Sequence, residues 1–578
     1  MSWSTPPAFH APVVTVLRFV WKALTTPAWL ARIVGLVGLM TVVSALLPAF
    51  RGRLHLVRDV LPGFFPAAAT TGALAVGIML ILLSRALRRA KRRAWVMAVV
   101  LTTVTVLLHL VKGLDVEEAL ISVALLVPLV LGRQHFTARP DPGSPRRLVG
   151  VIVFGPVIAT ALGWAWLGLD ADGQASGTTT WQRIGHAFLG LAGVTGPVRF
   201  VDQNDADRAA IALVVLGASV LIPLVFVALQ PADGPHPLDR AEQEQVRSIL
   251  DRWGAVDSLS YFALREDRSV LFSKTGKAAV SYRVVGTVSL AAGDPLGDPE
   301  AWPGAIEAWL DEASSYGWVP AVLGASDQGA RFYNRAGLDA LELGDEAVVD
   351  IDEWSLEGRS MRVVRQAVSR CTRAGYSVSC DRAEDLDEET WTELRGLADD
   401  WRDGPVERGF SMALGRFGDA RDNRSMVVVA RDAEGTVKGI LNFAPWGDDG
   451  LSLDLMRRDR DTENGLIEHM VVALIEDCPS LGLKQISLNF AVFRSVFARG
   501  ERLGAGPVQR ATHAVLLWAS RFWQIESLYR ANAKYHPDWV PRYLCFRTSG
   551  DLPRVGVAAL RAEAFIVAPQ WVKKLVRA

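Results

Sequence analysis

The sequence predicts an N-terminal α-helical transmembrane domain of about six spans, followed by a cytosolic α+β domain. Two observations carry this. Of 578 residues, 50% are hydrophobic, and the apolar excess is crowded before about residue 230. Beyond that point the order meander, helix, strand occurs twice, which is the signature of a duplicated α+β unit with mostly antiparallel pairing.

The membrane part is read first. Segments near 31–49, 63–84, 95–112, 119–132, 149–168 and 209–229 are nearly free of charge. Most approach the ~20 residues that cross a bilayer, and the fourth is short. The stretch from Ile184 to Pro197 reads as re-entrant or interfacial. No cleavable signal sequence is evident, so the first span is expected to stay. The LRRAKRR run places Arg88, Arg89, Lys91, Arg92 and Arg93 between the second and third spans, and Arg133, Arg139, Arg146 and Arg147 follow the fourth. Positive loops stay inside, so everything after Gln230 falls in the cytosol. Arg51, Arg53 and Arg58 lie on the outer side in this arrangement.

The expected boundaries are 1–230 for the membrane domain, 231–240 for a linker and 241–578 for the α+β domain. PADGPHPLD supplies the linker, since its prolines and glycine separate apolar spans from the helical pattern EQEQVRSILDRWG. In the first copy of the repeat, residues 270–295 form two or three strands, 303–316 a helix, and WVPAVLGA a strand. In the second, residues 425–458 form the meander, LIEHMVVALIEDC the helix and KQISLNF the strand.

Lys and Arg together number 62, as do Asp and Glu. Bulk charge therefore does not advertise a nucleic-acid binder. The four cysteines, Cys371, Cys380, Cys478 and Cys545, form no C-x-x-C pair, which argues against a zinc or disulfide framework. Ser258 and Ser260 lack a G-x-S-x-G context. GDPLGDP lacks the glycine spacing and lysine of a P-loop and reads as turns. His469 and His513 fall in helical patterns.

Three stretches could carry chemistry. LDLMRRDRDTENG ends an apolar strand with Asp454, Arg457 and Arg458, and Asn464-Gly465 precedes a helix. Alternation puts Asp454 and Met456 on one face and Leu453, Leu455 and Arg457 on the other. An inner carboxylate needs a cation or donors, so Asp454 either binds an ammonium, with the arginines on phosphate, or joins an edge ion pair. SLEGRSMRVVRQAVSR reads as a helix capped by Ser355, with Arg359, Arg362 and Arg365 on one stripe and Arg370 further along; the stripe either meets a phosphodiester backbone or is a solvated face. YRANAKYHPDWVPRYLCF cannot form a continuous helix past Pro537 and Pro541, which puts Lys534, Tyr535, His536 and Arg542 on an irregular or extended path.

SLSYFALR, GDPLGDP, SLEGRSMRVVRQAV, ERGFSMALGRF, LDLMRRDRDTENG and NAKYHPDWVPRYL, in this order over roughly 238–570, resemble the C-terminal domain of the phosphatidylglycerol lysyltransferase (MprF-like) family. The likeness is strongest to an actinobacterial branch whose members can carry a fused lysyl-tRNA synthetase. The resemblance implies a tandem acetyltransferase-like (GNAT) fold. It also implies transfer of an aminoacyl group, lysine first, from aminoacyl-tRNA to the glycerol hydroxyl of phosphatidylglycerol at the inner leaflet, which changes membrane charge and resistance to cationic peptides. Larger members carry a longer membrane region with a lipid flippase, and about six spans fall short of it. No synthetase segment follows Ala578, so charged tRNA is expected from a separate enzyme.

One ester replaces another in that reaction, so no cofactor or metal is expected. Within the resemblance, residue chemistry assigns Lys534, Asp454 and Tyr535 to catalysis. Glu357, Glu407, Arg457, Arg458, Asn464, Tyr529 and Arg542 are assigned to substrate, and Arg359, Arg362 and Arg365 to tRNA. Asp454, with Glu357 or Glu407, takes the ammonium, Lys534 faces the reacting ester or a phosphate, and Arg542 holds an anionic group. Asp454, Lys534 and Arg542 are expected in one cavity. The expected partners are aminoacyl-tRNA, phosphatidylglycerol and the bilayer, and self-association into a homo-oligomer stays open. Two other readings stand beside this one: a transporter or scaffold with a ligand-binding GNAT-like module, and a tRNA-dependent transferase for another acceptor such as a peptidoglycan precursor.

Overall fold

The computed structural model describes residues 26–46, 66–88, 91–112, 116–136, 144–169, 173–228, 237–402, 407, 409–492 and 530–566. The chain divides into two compact units at Asp233–Gly234.

The first unit is helical. Helices α1 (Pro27–Leu46), α2 (Pro66–Leu87), α3 (Arg92–Lys112), α4 (Val116–Leu131), α5 (Ser144–Leu169) and α7 (Gln203–Ala228) coincide with the six apolar segments, and a short helix, α6 (Thr180–Gly190), lies between the last two. Among the described residues, Val149–Leu169 within α5 is the helix long and apolar enough to cross a membrane, and Pro27–Met40 is a shorter apolar helix. Six apolar helices are therefore present among the described residues. Helix α1 packs on α2, and α5 on α7. Gly38 and Gly77 make the first contact close, because a Cβ on Gly38 would lie 2.8 Å from the Gly77 carbonyl oxygen.

The second unit begins with α8 (Arg240–Trp253), whose start is fixed by a capping box between Asp239 and Glu242. Then follow β1 (Ser269–Phe272), β2 (Ala278–Val285), β3 (Val288–Ala292), the two-residue β4 (Leu296–Gly297), α9 (Trp302–Tyr316), β5 (Val319–Ala325), α10 (Asp327–Arg335) and β6 (Asp339–Asp350). The second copy runs α11 (Arg362–Arg373), β7 (Ser377–Arg382), α12 (Glu388–Asp400), β8 (Met426–Arg431), β9 (Val437–Trp446), β10 (Gly450–Arg458), α13 (Leu466–Asp477), β11 (Gln485–Val492), β12 (Asp538–Phe546) and α14 (Leu552–Ala562). In each copy an antiparallel meander, a helix and a strand parallel to the meander's last strand recur: β3 with β5, and β10 with β11.

The copies do not sit side by side as two closed sheets. All strands join one sheet in the order β1-β2-β3-β5-β12-β6-β11-β10-β9-β8-β7, with β4 beside β2. The last strand of each copy has crossed over: β6 pairs with β11 of the second copy, and β12 with β5 of the first.

Two local expectations change, and one stated alternative is decided. The arginine-rich helix starts at Arg362 rather than at Ser355, because Gly358 takes φ +89°, a left-handed turn that interrupts any helix there. Ser355 accepts instead from the Glu357 amide at 3.2 Å. From Asp538 the C-terminal stretch takes the extended alternative, as strand β12 inside the sheet. Pro541 is tolerated because pairing of β12 with β5 begins only at Tyr543, so one flank at Pro541 carries no ladder.

The strict alternation along β10 also fails. A bulge falls between Leu453 and Leu455, which pair with Phe443 and Asn442, so Asp454 has no partner in the ladder. Leu451 and Leu453 join the core under α11 and α13, whereas Leu455 joins the core under α12. The extra residue flips the strand's faces and turns the Asp454 carboxylate toward α12.

Candidate functional site

The two parallel pairs differ. Strands β3 and β5 stay in register over five positions, from Val288–Val319 to Ala292–Leu323. Strands β10 and β11 pair only from Gly450–Gln485 to Ser452–Ser487 and then part, although β10 runs on to Arg458 beside β9 and β11 to Val492 beside β6. Both carry a bulge at the point of separation, at Asp454 on one side and between Ser487 and Phe490 on the other. Asn489 sits in the second bulge at φ +75°, and its side-chain carbonyl is buried without a hydrogen-bond partner. The first copy is closed and the second is wedged open.

On the α12 side of this wedge lies a cavity of about 210 Å³, lined by Arg395 and Asp399 of α12, Arg402, Glu407, Arg416, Phe417 and Asp454 among others. Asp454 accepts from the Leu414 amide at 2.6 Å and from Asn442 Nδ2 at 2.8 Å. Burial lifts its pKa to about 6 against the pull of these two bonds, and Asp422 and Glu407 add to the rise. Glu407 pairs with Arg457 at 2.5 Å, and Arg457 Nε is buried without a partner. Arg416 is spent on a fork to Asp422, at 2.7 and 2.9 Å. The cavity thus mixes arginines with three carboxylates, of which Asp454 has its pKa raised to about 6.

The loop over this cavity is held from several directions. Arg265 donates to the carbonyls of Gly409 and, at 3.0 Å, Ala413. Arg268, buried against the Phe410 ring, donates to the Phe410 carbonyl. Glu563, just past α14, accepts from the Phe410 and Ser411 amides at 2.6 and 3.1 Å and from Ser411 Oγ at 2.6 Å.

Lys534 sits on the α13 side, with Nζ 2.5 Å from Glu468 in the first turn of α13. Asn532 ties the same segment to β11 by donating to the Leu488 carbonyl at 3.0 Å. Tyr535 belongs to the core under α13, where burial raises its pKa well above the usual tyrosine range. Its ring packs rather than lining a pocket, which corrects its place among the catalytic residues. Arg542 is 3% exposed. Its five N–H groups meet Glu346 at 2.9 and 2.5 Å, Asp257 at 2.7 Å, Gly324 O at 3.2 Å and Ser258 Oγ at 2.6 Å. Burial works against its charge, but Asp257, Glu346 and Asp294 overcome that and raise its pKa. With every donor used, Arg542 has none left for a substrate anion, so it is a clamp between the copies. It lines a second cavity of about 300 Å³ that contains neither Asp454 nor Lys534. Convergence of Asp454, Lys534 and Arg542 in one cavity is not found among the described residues.

Of the remaining assignments, Glu407 and Arg457 join Asp454. Arg458 binds Thr462 Oγ1 at 2.9 Å, and the Asn464 carbonyl accepts from Arg370 at 2.8 Å, both in the exposed loop before α13. Glu357 is exposed and lines neither cavity. Arg359 and Arg362 are exposed, while Arg365 donates to the Leu356 carbonyl at 2.5 Å. Tyr529 and His513 lie outside the described residues. Sequence reasoning gave no role to Arg395, Asp399, Asn442, Asn489, Glu468 or Arg416, although Asn442, Asn489 and Glu468 stand in the second meander-helix-strand copy and Arg416 in ERGFSMALGRF. No grouping of His, Cys, Asp or Glu suited to a metal occurs among the described residues.

Fold and site define the class: an apolar helical unit followed by a doubled α+β unit whose second copy opens beside the Asp454 carboxylate. Residues 247–546 match the family described as phosphatidylglycerol lysyltransferase, C-terminal, and residues 22–228 match the transmembrane region of lysyl-tRNA synthetase. The chain belongs to the phosphatidylglycerol lysyltransferase C-terminal family, and it is a membrane protein. It is 40% identical over 550 residues to the lysylphosphatidylglycerol biosynthesis bifunctional protein LysX of Rhodococcus opacus, covering 93% of this chain and 49% of that protein. The LysX protein of Mycobacterium avium is 39% identical over 563 residues, covering 96% of this chain and 47% of that protein. The chain thus spans about half the length of the curated relatives it matches. The structure of L-PGS from Bacillus licheniformis shares the fold, with a TM-score of 0.50 at 23% identity, covering 58% of this chain and 99% of that one.

Proposed function

We propose that this chain transfers an aminoacyl group, lysine first, from aminoacyl-tRNA to the glycerol hydroxyl of phosphatidylglycerol. The observation that carries the reading is the wedge between β10 and β11 beside the Asp454 cavity; Lys534 is read as approaching from the α13 side, where it pairs with Glu468. The acceptor hydroxyl attacks the ester carbonyl, the bond to the ribose oxygen breaks, and the hydroxyl proton ends on that oxygen. Asp454 and Glu407 receive the ammonium of the amino acid. Lys534 stabilises the tetrahedral oxyanion. Exposed Arg359 and Arg362 contact tRNA phosphates, and Arg458 with Asn464 contacts the acceptor end.

The membrane unit in this reading is residues 1–230, crossing six times, with a linker at 231–240 and residues 241–578 in the cytosol. Such an arrangement brings lipid to an enzyme that draws its donor from solution. The family supports the donor and acceptor classes, and the mixed charges of the cavity fit a substrate with both an ammonium and phosphates.

The test is mass spectrometry of lipids from a host that expresses the chain and supplies lysyl-tRNA. Accumulation of lysylphosphatidylglycerol is expected. A lipid profile equal to that of an empty-vector control, with folded protein present, refutes the proposal.

A further inference from the structure

Helix α6 presents two unlike faces. His186, Ala187 and Gly190 are buried, and a Cβ on Gly190 would fall 2.4 Å from a Leu213 methyl of α7. His186 Nδ1 accepts from the Val198 amide at 3.2 Å and its ring meets Phe200 edge-on, which ties the following loop down. The start of the helix is fixed by a capping box between Thr179 and Gln182. It is a well-fixed element.

Its opposite face carries Trp181, Gly185, Phe188 and Leu189, a spacing of four, three and one that forms a single stripe. Trp181 is 80% and Phe188 59% exposed. The apolar surface does not stop at the helix. Leu169, at the end of α5, is 89% exposed and Val201 76%, and α5 itself shows Phe154 and Val157 to its surroundings. Helix α5 contains the helix long and apolar enough to cross a membrane, and α6 packs against α5. Eleven residues make roughly 16 Å of helix, about half the thickness of a bilayer core, so α6 cannot span. A short helix with a tryptophan-bearing apolar face bordered by exposed Gln182 fits the boundary between headgroups and acyl chains.

We propose that α6 lies flat in the bilayer interface, with Trp181, Phe188 and Leu189 inserted beside the end of α5. The partner is a phospholipid surface, and the helix fixes the depth at which α5 and α7 end.

The test uses the full chain in phosphatidylglycerol–phosphatidylethanolamine nanodiscs. Phe188→Cys is made in a Cys380→Ser background, since Cys371, Cys478 and Cys545 are buried, and is labelled with the fluorophore NBD. Trp181→Cys is the second variant, and Asp202→Cys, exposed and polar, is the control. Nitroxide lipids labelled near the headgroup are expected to quench positions 181 and 188 roughly twofold or more beyond mid-chain nitroxides, with little quenching at 202. No lipid quenching at 181 and 188, stronger quenching by mid-chain nitroxides, or disulfide cross-linking of position 188 between two copies would each overturn the proposal, the last by assigning this face to a second copy of the chain.

Discussion

At the scale of single residues, Asp454 is the group whose environment does most to set its chemistry. Its folded pKa of about 6 lies above the ordinary carboxylate value because burial outweighs the Leu414 and Asn442 hydrogen bonds. The sign for stability follows: Asp454 favours the folded state most below the unfolded value near 4, and that contribution is lost as pH rises through about 6. The sign for function is opposite, since an ammonium needs the ionised form. Transfer is expected to rise with pH around a midpoint near 6, and Asp454→Asn should abolish that limb and lower the plateau roughly a hundredfold, measured with radiolabelled aminoacyl-tRNA. Lys534→Ala should lower turnover by about a hundredfold, the scale of losing one oxyanion donor. It should cost about 1 kcal/mol or less, because the Lys534 side chain is itself 38% exposed. Lys534→Arg should not restore the rate, since a planar guanidinium directs its donors differently. Near wild-type transfer by Lys534→Ala would remove the residue from catalysis, and a collapsed melting temperature would make its role structural.

At the scale of elements, the loop from Gly409 to Phe417 depends on α14. Glu563 takes two backbone amides and one hydroxyl of that loop, and the loop in turn gives the Leu414 amide to Asp454. Glu563→Gln weakens charge-assisted bonds to roughly half their strength. Transfer should fall about tenfold with the global melting temperature little changed. Because the Leu414 bond holds the Asp454 pKa down, loosening the loop should move the pH midpoint upward. An unchanged midpoint would mean that Glu563 supports the fold without positioning the carboxylate.

At the scale of the whole molecule, exchange of β6 and β12 makes the two copies one folding unit. Arg542 of β12 is bound to Glu346 of β6 and to Asp257 before the first meander, all buried. Arg542→Ala leaves two carboxylates uncompensated in the interior and should destabilise the protein by about 3–5 kcal/mol. A two-state denaturation with a midpoint equal to wild type would show that the clamp is dispensable. The sequence by itself determined the six apolar helices and both meander-helix-strand copies, because period and composition act over neighbouring residues. Asp454 and Arg457 were legible as chemistry for the same reason: a carboxylate and arginines at the end of an apolar strand; Glu407 entered only through the resemblance, as an alternative to Glu357, and its pairing with Arg457 spans 50 residues. Tertiary structure decided the rest. The bulge at Asp454, the wedge between β10 and β11 and the strand exchange depend on pairings between distant segments, and no local pattern encodes which strand lies beside another. Arg542 reads from sequence as a free cation beside prolines, and only its burial between Glu346 and Asp257, 196 and 285 residues away, makes it a clamp instead of a ligand for substrate.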